Sequence, residues 1–278
     1  MDSDEGFVKQ DESVFANLSP EALAALKDLA VDKGLGKVEG EKEDDVGVVL
    51  KKVRNHFDAV KVGEKEEVVD YCYGGVSFEL KGIKQSLGKT LDSTGLTVWR
   101  AAETLCEWIV KNEDRFEGKK ICELGGGLGL VSILLAKLNH NSLVKPPVIC
   151  TDGDEISLKL LRSNISFTDC EERVISQKLY WGEGHEEFLE QHNDIDVIVA
   201  ADVIYEDYQV EALISSVVAI FQSRSEARTV KGSPVQFFLS YARRLVPITK
   251  VTDTLTANGL KSEAIFGDVE PILFITAA

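Results

Sequence analysis

One short run, residues 121–130, constrains the fold of this chain more than any other. Its letters are ICELGGGLGL, in which an apolar entry ends in an acid and is followed by four glycines: Glu123, then Gly125, Gly126, Gly127 and Gly129. Glycine is favoured where the backbone angle φ must be positive or where a ligand approaches bare backbone. The run therefore predicts a strand, a tight glycine turn and a helix whose free N–H groups can face a nucleotide-like ligand.

The spacing of the glycines separates the classes of nucleotide ligand. The dinucleotide fingerprint would need a third glycine where Leu130 stands, and the Gly-Lys-Ser/Thr of a phosphate-binding loop does not follow. What is present is an acid followed by Gly-x-Gly-x-Gly. The carboxylate of Glu123 would repel a pyrophosphate, whereas it suits a ligand that carries an ammonium and a sulfonium. A purely structural turn stays open at this point.

The charge balance limits the partners that the chain can bind. The 278 residues include 31 Lys and Arg against 47 Asp and Glu, a net charge of −16. This excess disfavours nucleic acid and anionic membranes and favours a basic protein surface, although acidity also simply keeps a protein in solution. No signal peptide is visible and no apolar run approaches the roughly 18 residues of a membrane span. We expect a cytoplasmic protein, with the nucleus as an alternative.

The cysteines and histidines predict neither disulfides nor a metal site. The four histidines show no ligand spacing, and no C-x-x-C pair exists. The five cysteines are odd in number and widely scattered: Cys72, Cys106, Cys122, Cys150 and Cys170. A reducing compartment and no bound metal are the expectation.

Composition and periodicity divide the chain into three parts. We expect a disordered acidic tail at 1–17, an extension at 18–91 and the main domain at 92–278. The extension should hold a helix that starts at Ser19-Pro20, a hairpin turning at Gly74-Gly75 between residues 68–73 and 76–80, and a further β-like piece near 84–91.

The main domain alternates between strand and helix patterns along its length. A helix over 97–110 precedes the glycine turn, and seven strand-like runs follow from residue 121 onward. Such alternation predicts an α/β fold with a doubly wound, seven-stranded, mostly parallel sheet. The last two runs, near 260–266 and 271–276, are joined tightly, so one antiparallel strand is expected.

Polar and aromatic side chains follow the second and third strands of this sheet. Asp152 comes 25 residues after Gly127, where a carboxylate can accept both hydroxyls of an adenosine ribose. Its alternative role is a helix cap, for which Asp154 is better placed. Trp181 closes the third strand, where it can stack on adenine or serve as a core aromatic.

The end of the fourth strand carries a second candidate pair. Ala201 permits close approach of a ligand, and Asp202 and Tyr205 would then project into the cleft beyond the strand ends. Asp202 could alternatively be only the N-cap of the next helix. Upstream, Trp99 is either a core residue or a lid over the cofactor.

Taken together, these segments resemble methyltransferase family 16. The resemblance is carried by ELGGGLG, CTDGDE, LYWG, AADVIY and the upstream TGLTVWRAA. It covers roughly 92–278, the hairpin at 68–80 has a family counterpart, and the first 67 residues match no part of the family pattern. The family's members are seven-stranded enzymes that use S-adenosylmethionine to methylate lysines of proteins such as calmodulin, elongation factors and chaperones.

The resemblance implies a role for each matched position. Catalysis would fall on the Asp-x-x-Tyr pair, Asp202 and Tyr205. Contacts to S-adenosyl-L-methionine would fall on Trp99, Glu123, Gly125, Gly126, Gly127, Asp152, Trp181 and Ala201. The implied partner is a protein that presents a lysine, of the elongation-factor, calmodulin or chaperone class, and the enzyme would be a monomer.

The sequence leaves several alternatives open. ELGGG and TDGDE lean toward the calmodulin-modifying branch, whereas TGLTVW leans toward the elongation-factor branches. The substrate could instead be a small molecule or a protein histidine. A catalytically silent binding module would keep the same fold, and a nicotinamide-dependent oxidoreductase would share the turn and Asp152 but lacks the third glycine.

Overall fold

The structure is a computed structural model that describes residues 66–83, 95–138, 146–226, 234–242, 246–267 and 271–278. The expected acidic tail, the helix after Ser19-Pro20 and the β-like piece at 84–91 lie outside these residues. Residues Lys65–Ala278 form one compact unit. The hairpin is thus part of the same unit as the main sheet.

The hairpin forms where the Gly-Gly pair predicts it. Strand β1 (Glu66–Tyr73) runs antiparallel to β2 (Val76–Ile83), and Tyr73 pairs with Val76 across the turn. Gly74 and Gly75 have φ of 56° and 82°. Two successive positive φ angles give a turn whose twist matches that of the strands, so the prediction is confirmed.

Seven of the described strands form one sheet. In chain order they are β3 (Ile121–Leu124), β4 (Val148–Asp152), β5 (Val174–Lys178), β6 (Val197–Ala201), β7 (Gln236–Ser240), β8 (Leu260–Phe266) and β9 (Ile272–Ala277). Their spatial order is β5-β4-β3-β6-β7-β9-β8. Strand β9 is antiparallel to both of its neighbours, and the β3–β4, β4–β5, β3–β6 and β6–β7 pairs are parallel. The predicted fold class is confirmed, including its antiparallel strand.

The helices connect successive strands over both faces of the sheet. They are α1 (Arg100–Ile109), α2 (Leu130–Leu138), α3 (Glu155–Phe167), α4 (His185–Gln191), α5 (Asp207–Glu226) and α6 (Ile248–Ala257), with a 3₁₀ turn at Glu113–Arg115. The prediction started α1 too early, at residue 97. Trp99 has extended backbone angles, φ −103° and ψ 150°, so the helix begins only after it.

Two apolar layers cover the sheet because its side chains alternate between the faces. Phe237 belongs to the large buried cluster that includes residues of α5 and α6. Its neighbour Phe238 points to the opposite face, where its ring centroid lies 4.9 Å from that of Trp108 and 5.5 Å from that of Phe116. Each such buried aromatic side chain contributes about 1.5–3 kcal/mol to folding.

A buried amide in α3 fastens the hairpin to the rest of the domain. The Asn164 side chain in α3 accepts from the Lys81 N–H (2.8 Å) and donates to the Lys81 carbonyl (2.9 Å). It also donates to the Leu128 carbonyl in the glycine loop (3.0 Å). Asn164 is fully buried, so these bonds are shielded from competing water. Hairpin, glycine loop and α3 therefore hold one fixed arrangement.

Candidate active site

The glycine loop has the conformation that its sequence predicts. It links β3 to α2, and Gly125 and Gly127 have φ of 70° and 52°. Gly126 has an ordinary φ, but a Cβ there would overlap the sulfur of Cys150. Its N–H donates to the Thr151 carbonyl (2.8 Å), which holds the loop against β4. Conformation demands glycine at two of these positions, and space demands it at the third.

Glu123 lies beneath this loop and is 3% exposed. Its Oε2 accepts from the Ser132 N–H (3.0 Å), from the Ser132 hydroxyl and from the Cys150 thiol (3.4 Å). Burial raises the pKa of this carboxyl to about 7, although the bonds from Ser132 and Cys150 oppose the shift. These contacts tie the end of β3 to the first turn of α2. Direct contact with the cofactor stays a prediction for Glu123, and its visible bonds organise the loop.

Asp152 ends β4 and contacts the loop directly. Its Oδ2 accepts from the Gly127 N–H (3.0 Å) and its Oδ1 from the Asp154 N–H (2.9 Å). Burial raises the pKa of this carboxyl, and the backbone bonds oppose the shift. Each oxygen keeps a further lone pair for a ligand hydroxyl. Helix capping belongs to Asp154, which accepts from the Ser157 N–H (2.8 Å).

The ring of Trp181 lies against the glycine loop. A Cβ at Gly125 would come within 3.1 Å of Trp181 Cζ2 and 2.7 Å of Val203 Cγ1. The Trp181 side chain is half-buried and packs against the large buried cluster that contains Phe237. Ala201, also half-buried, ends β6 beside β3. The structure thus brings Trp181 to the loop with part of its surface still accessible.

The segment before α1 also approaches the loop closely. A Cβ at Gly127 would lie 3.1 Å from the carbonyl oxygen of Gly95. Trp99, four residues further along the chain, is half-buried at the start of α1. The structure therefore places both predicted tryptophans in segments that border the glycine loop, and their contacts to a cofactor stay predictions.

Asp202 follows β6 in an unusual conformation. Its φ is 57°, in the left-handed region that non-glycine residues seldom adopt. Its N–H donates to the Ser240 carbonyl at the end of β7 (3.1 Å). Helix α5 begins only at Asp207, which rules out the alternative that Asp202 is merely its N-cap.

Gln209, in the first turn of α5, caps the residues before the helix with its side chain, and sequence reasoning missed this role. Its buried Oε1 accepts from the N–H groups of Tyr205 (3.0 Å) and Glu206 (2.9 Å). A glutamine at the third helical position that reaches back to the residue before the helix is half of a capping box, so a signal was present. Gln209 fixes the loop that carries the Asp-x-x-Tyr pair.

A second missed residue is Ser240, for which the sequence offers no signal. It pairs with Ala201 across the β6–β7 ladder and is 1% exposed. Within the described part of the chain, the Ser240 hydroxyl has no hydrogen-bond partner. Buried hydroxyl groups are normally satisfied, so this group is a candidate for contact with a ligand or an ordered water beside Asp202.

The described residues contain neither a candidate metal site nor a helix suited to a membrane. No group of three or more His, Cys, Asp or Glu side chains there could hold a metal ion. Of the helices described, none has the length and apolar content needed to cross a membrane.

A known protein family accounts for this combination of loop, acids and sheet order. The family model described as lysine methyltransferase matches residues 82–232, more than half of the chain. The chain belongs to this family. The resemblance inferred from the sequence motifs is therefore confirmed.

Individual relatives agree with the family assignment. The protein-lysine N-methyltransferase EFM6 of Saccharomyces cerevisiae is 31% identical over 153 residues, which cover 49% of this chain and 61% of that protein. The calmodulin-lysine N-methyltransferase of Arabidopsis thaliana is 28% identical over 141 residues, which cover 49% of this chain and 43% of that protein. The chain thus matches between 43% and 61% of the length of these two relatives.

The solved structures support the fold. A SAM-dependent methyltransferase from Agrobacterium tumefaciens superimposes with a TM-score of 0.50 at 11% identity, over 77% of this chain and 70% of that one. The lysine methyltransferase family member described here thus has the Rossmann-like fold of class I S-adenosylmethionine-dependent methyltransferases.

Proposed function

We propose that this family member transfers a methyl group from S-adenosylmethionine to the side chain of a lysine in a cytosolic protein. The observation that carries the proposal is the placement of Asp202 at the carboxyl end of β6, on left-handed backbone fixed by the Ser240 carbonyl. Ligands bind at this edge of open α/β sheets. The same edge bears the glycine loop of the lysine methyltransferase family.

The residues around the loop fit the cofactor. Glycine at positions 125 and 126 lets the loop pack closely against Val203, Trp181 and Cys150. Asp152 would hold ribose hydroxyls, and Trp181 would offer its accessible ring surface to adenine. Trp99 and Ala201 would complete the walls. When bound, S-adenosylmethionine supplies a methyl group already activated by its sulfonium.

The chain's own residues would then act mainly by binding and positioning. The substrate amine must be neutral, because an ammonium has no lone pair. The lysine ammonium would first lose one proton to water, and its nitrogen would then accept the methyl group while S-adenosylhomocysteine leaves. Asp202 would attract the incoming ammonium and orient it, and the Tyr205 ring would face it. Exclusion of water from the cleft strengthens these electrostatic interactions.

A protein substrate suits the charge of the enzyme. The net charge of −16 favours encounter with a basic surface, and added salt should slow that encounter. We further propose, from the resemblance of the motifs, that the substrate is of the elongation-factor, calmodulin or chaperone class and that the enzyme acts as a monomer; the calmodulin class agrees with the name of the Arabidopsis thaliana relative.

Replacement of Asp202 tests the proposal. Asp202→Asn keeps the shape and the tolerance of left-handed backbone but removes the charge, so labelled-methyl transfer into lysate proteins should fall on the order of 10²-fold. Affinity for S-adenosylmethionine, measured by calorimetry, should stay within about twofold of wild type. Asp253→Asn, on the exposed side of α6, is the matched control. An equal loss of cofactor affinity and turnover would mean that Asp202 contacts the cofactor and not the substrate.

The identity of the acceptor needs a separate measurement. Mass spectrometry of proteins from cells with and without the gene should show methyl loss confined to lysine. Loss at a histidine, or in a metabolite with the proteome unchanged, would contradict the lysine assignment and leave the cofactor site standing. Cofactor binding without transfer to any protein would identify a catalytically silent module.

A further inference from the structure

The inner face of the hairpin borders an open pocket that the proposed reaction does not use. Strand β1 alternates, so Glu67, Val69 and Tyr71 point to the same side. They face the first turn of α1 across a space of about 540 Å³, which is within the roughly 300–1,000 Å³ of typical ligand pockets. We call this space the hairpin pocket; its lining includes Glu67, Val69, Tyr71, Arg100, Glu103 and Leu128.

The apolar part of this pocket is incompletely filled. Val69 is 37% exposed, although its cross-strand partner Leu80 is 1% exposed. Both line the pocket, as does Leu128 of the glycine loop. A valine on the packed face of a hairpin is normally covered. The exposed surface of Val69 therefore marks a place where another chain can pack.

The polar part of the pocket is acidic. Glu67 lies on the hairpin wall and Glu103 on the α1 wall, with Arg100 as a cation of the same lining. Burial, followed by the charges of carboxylates that include Glu103 and Glu67, raises the pKa of Tyr71 to about 12. The pKa of Glu103 is raised by burial and by Glu107, against the opposing effect of Arg100. The lining thus carries two carboxylates against one guanidinium, and this excess of negative charge suits a cationic ligand.

We propose that the hairpin pocket binds a basic segment of the protein substrate, outside the methylated lysine. This inference rests on the proposed function. Lysine and arginine have apolar stems that suit the exposed surface of Val69, and cationic heads that suit carboxylates and the Tyr71 ring. The pocket also contains Thr97, Val98 and Leu128, so its occupant lies beside the glycine loop. The hairpin therefore selects substrates that carry basic residues near the target.

Removal of the two pocket carboxylates tests whether their charge binds the basic segment. The probe is a short fluorescein-labelled lysine–glycine peptide, with a glutamine–glycine peptide for comparison. Glu67→Gln with Glu103→Gln should weaken anisotropy-measured binding of the lysine peptide about tenfold, since two partly buried ion pairs are lost. Glu66→Gln with Glu211→Gln removes the same charge from exposed sites and should change affinity less than about twofold.

Filling the space beside Val69 tests, without a change of charge, whether the basic segment enters the pocket. Val69→Phe places a larger side chain in the space, and binding should weaken by at least about tenfold while the unfolding midpoint is kept. Val68→Phe on the opposite face, where Val68 is 52% exposed, should bind as wild type. Equal binding of the lysine peptide to both pocket variants and to wild type would overturn the proposal.

A methyl-transfer assay separates this inference from the proposed function. In the pocket variants, transfer into lysate proteins should show a raised KM with kcat nearly kept. Transfer that is abolished by Asp202→Asn but has an unchanged KM in both pocket variants would refute the pocket while the function stands. No transfer by the wild type would refute the function itself.

Discussion

The acids at the glycine loop and the acid after β6 are held in opposite ways. Glu123 and Asp152 accept hydrogen bonds from backbone N–H groups, so their side chains organise the backbone around them. At Asp202 the backbone is itself in the left-handed region and is held by the Ser240 carbonyl. In the first region side chains fix a loop, and in the second the surrounding chain fixes one residue. The first suits a cofactor of constant shape, and the second suits the presentation of a reactive group.

The two regions also differ in where strain is stored. Left-handed backbone at a non-glycine residue costs about 1 kcal/mol, although aspartate tolerates it better than most residues. At the loop, the demanding φ angles are given to glycines and cost little. The cost near β6 is offset by neighbouring bonds, among them the two N–H groups accepted by Gln209.

The largest expected effect is on stability and comes from Glu123, the buried acid beneath the glycine loop. Its folded pKa of about 7 lies above the ordinary 4.5. Between these values the native state retains a proton that the unfolded chain has released, so the free energy of unfolding falls as pH rises from about 4.5 to 7. The shift corresponds to about 3 kcal/mol. Glu123→Gln stays neutral, can still accept from Ser132, and should lose this pH dependence.

Urea unfolding at several pH values measures that difference. Relative to wild type, Glu123→Gln should gain stability progressively toward pH 8. Glu79→Gln, on the exposed side of β2, is the control and should follow the wild-type curve. Parallel curves for Glu123→Gln and wild type would show that the buried carboxyl has an ordinary pKa.

The next largest effect is on cofactor affinity and tests the role of Asp152. Asp152→Ala removes the acceptor for Gly127 and the predicted acceptor for two ribose hydroxyls. At about 1.5–3 kcal/mol for charge-assisted bonds, affinity for S-adenosylmethionine should fall at least about tenfold by calorimetry. Asp154→Ala should cost about 1 kcal/mol of stability through the lost cap, with affinity kept. Unchanged affinity in Asp152→Ala would remove Asp152 from the site.

A smaller effect tests whether the Gln209 side chain of α5 holds the loop after β6. Gln209→Met leaves the N–H groups of Tyr205 and Glu206 without this acceptor, at about 1–2 kcal/mol. Methyl transfer should fall about tenfold while cofactor affinity is kept, because that loss acts only on the catalytic loop. Gln209→Glu keeps the acceptor and should restore transfer. Gln222→Met, exposed on the same helix, should resemble wild type.

The smallest effect concerns the backbone of Asp202. Both Asp202→Gly and Asp202→Ala remove the carboxylate, but only glycine adopts a φ of 57° without strain. Thermal unfolding should therefore find the alanine variant less stable than the glycine variant by about 1 kcal/mol. Identical midpoints would mean that the loop relaxes out of the left-handed conformation.

Local sequence rules predicted the elements of this fold and the kind of site. The Gly74-Gly75 turn and the glycine loop need specific backbone angles, which glycine alone supplies at low cost. Buried strands and helices have different apolar periods, so their alternation was readable. The start of α1 was misplaced because Val98 and Ala101 share a helical face in the sequence, whereas the extended Trp99 delays the helix.

The sequence by itself thus determined the glycine turn, the alternation of strands and helices, the single antiparallel strand and the residues that gather at one sheet edge. Tertiary structure alone decided that Glu123 turns under the loop toward Ser132, that the Ser240 carbonyl accepts from the Asp202 N–H, and that Asn164 bonds to Lys81 across 83 positions. Local propensity depends on residues within a few positions of each other. A buried polar group takes whichever partner the packed chain brings within reach, because burial without one costs more than any local preference supplies.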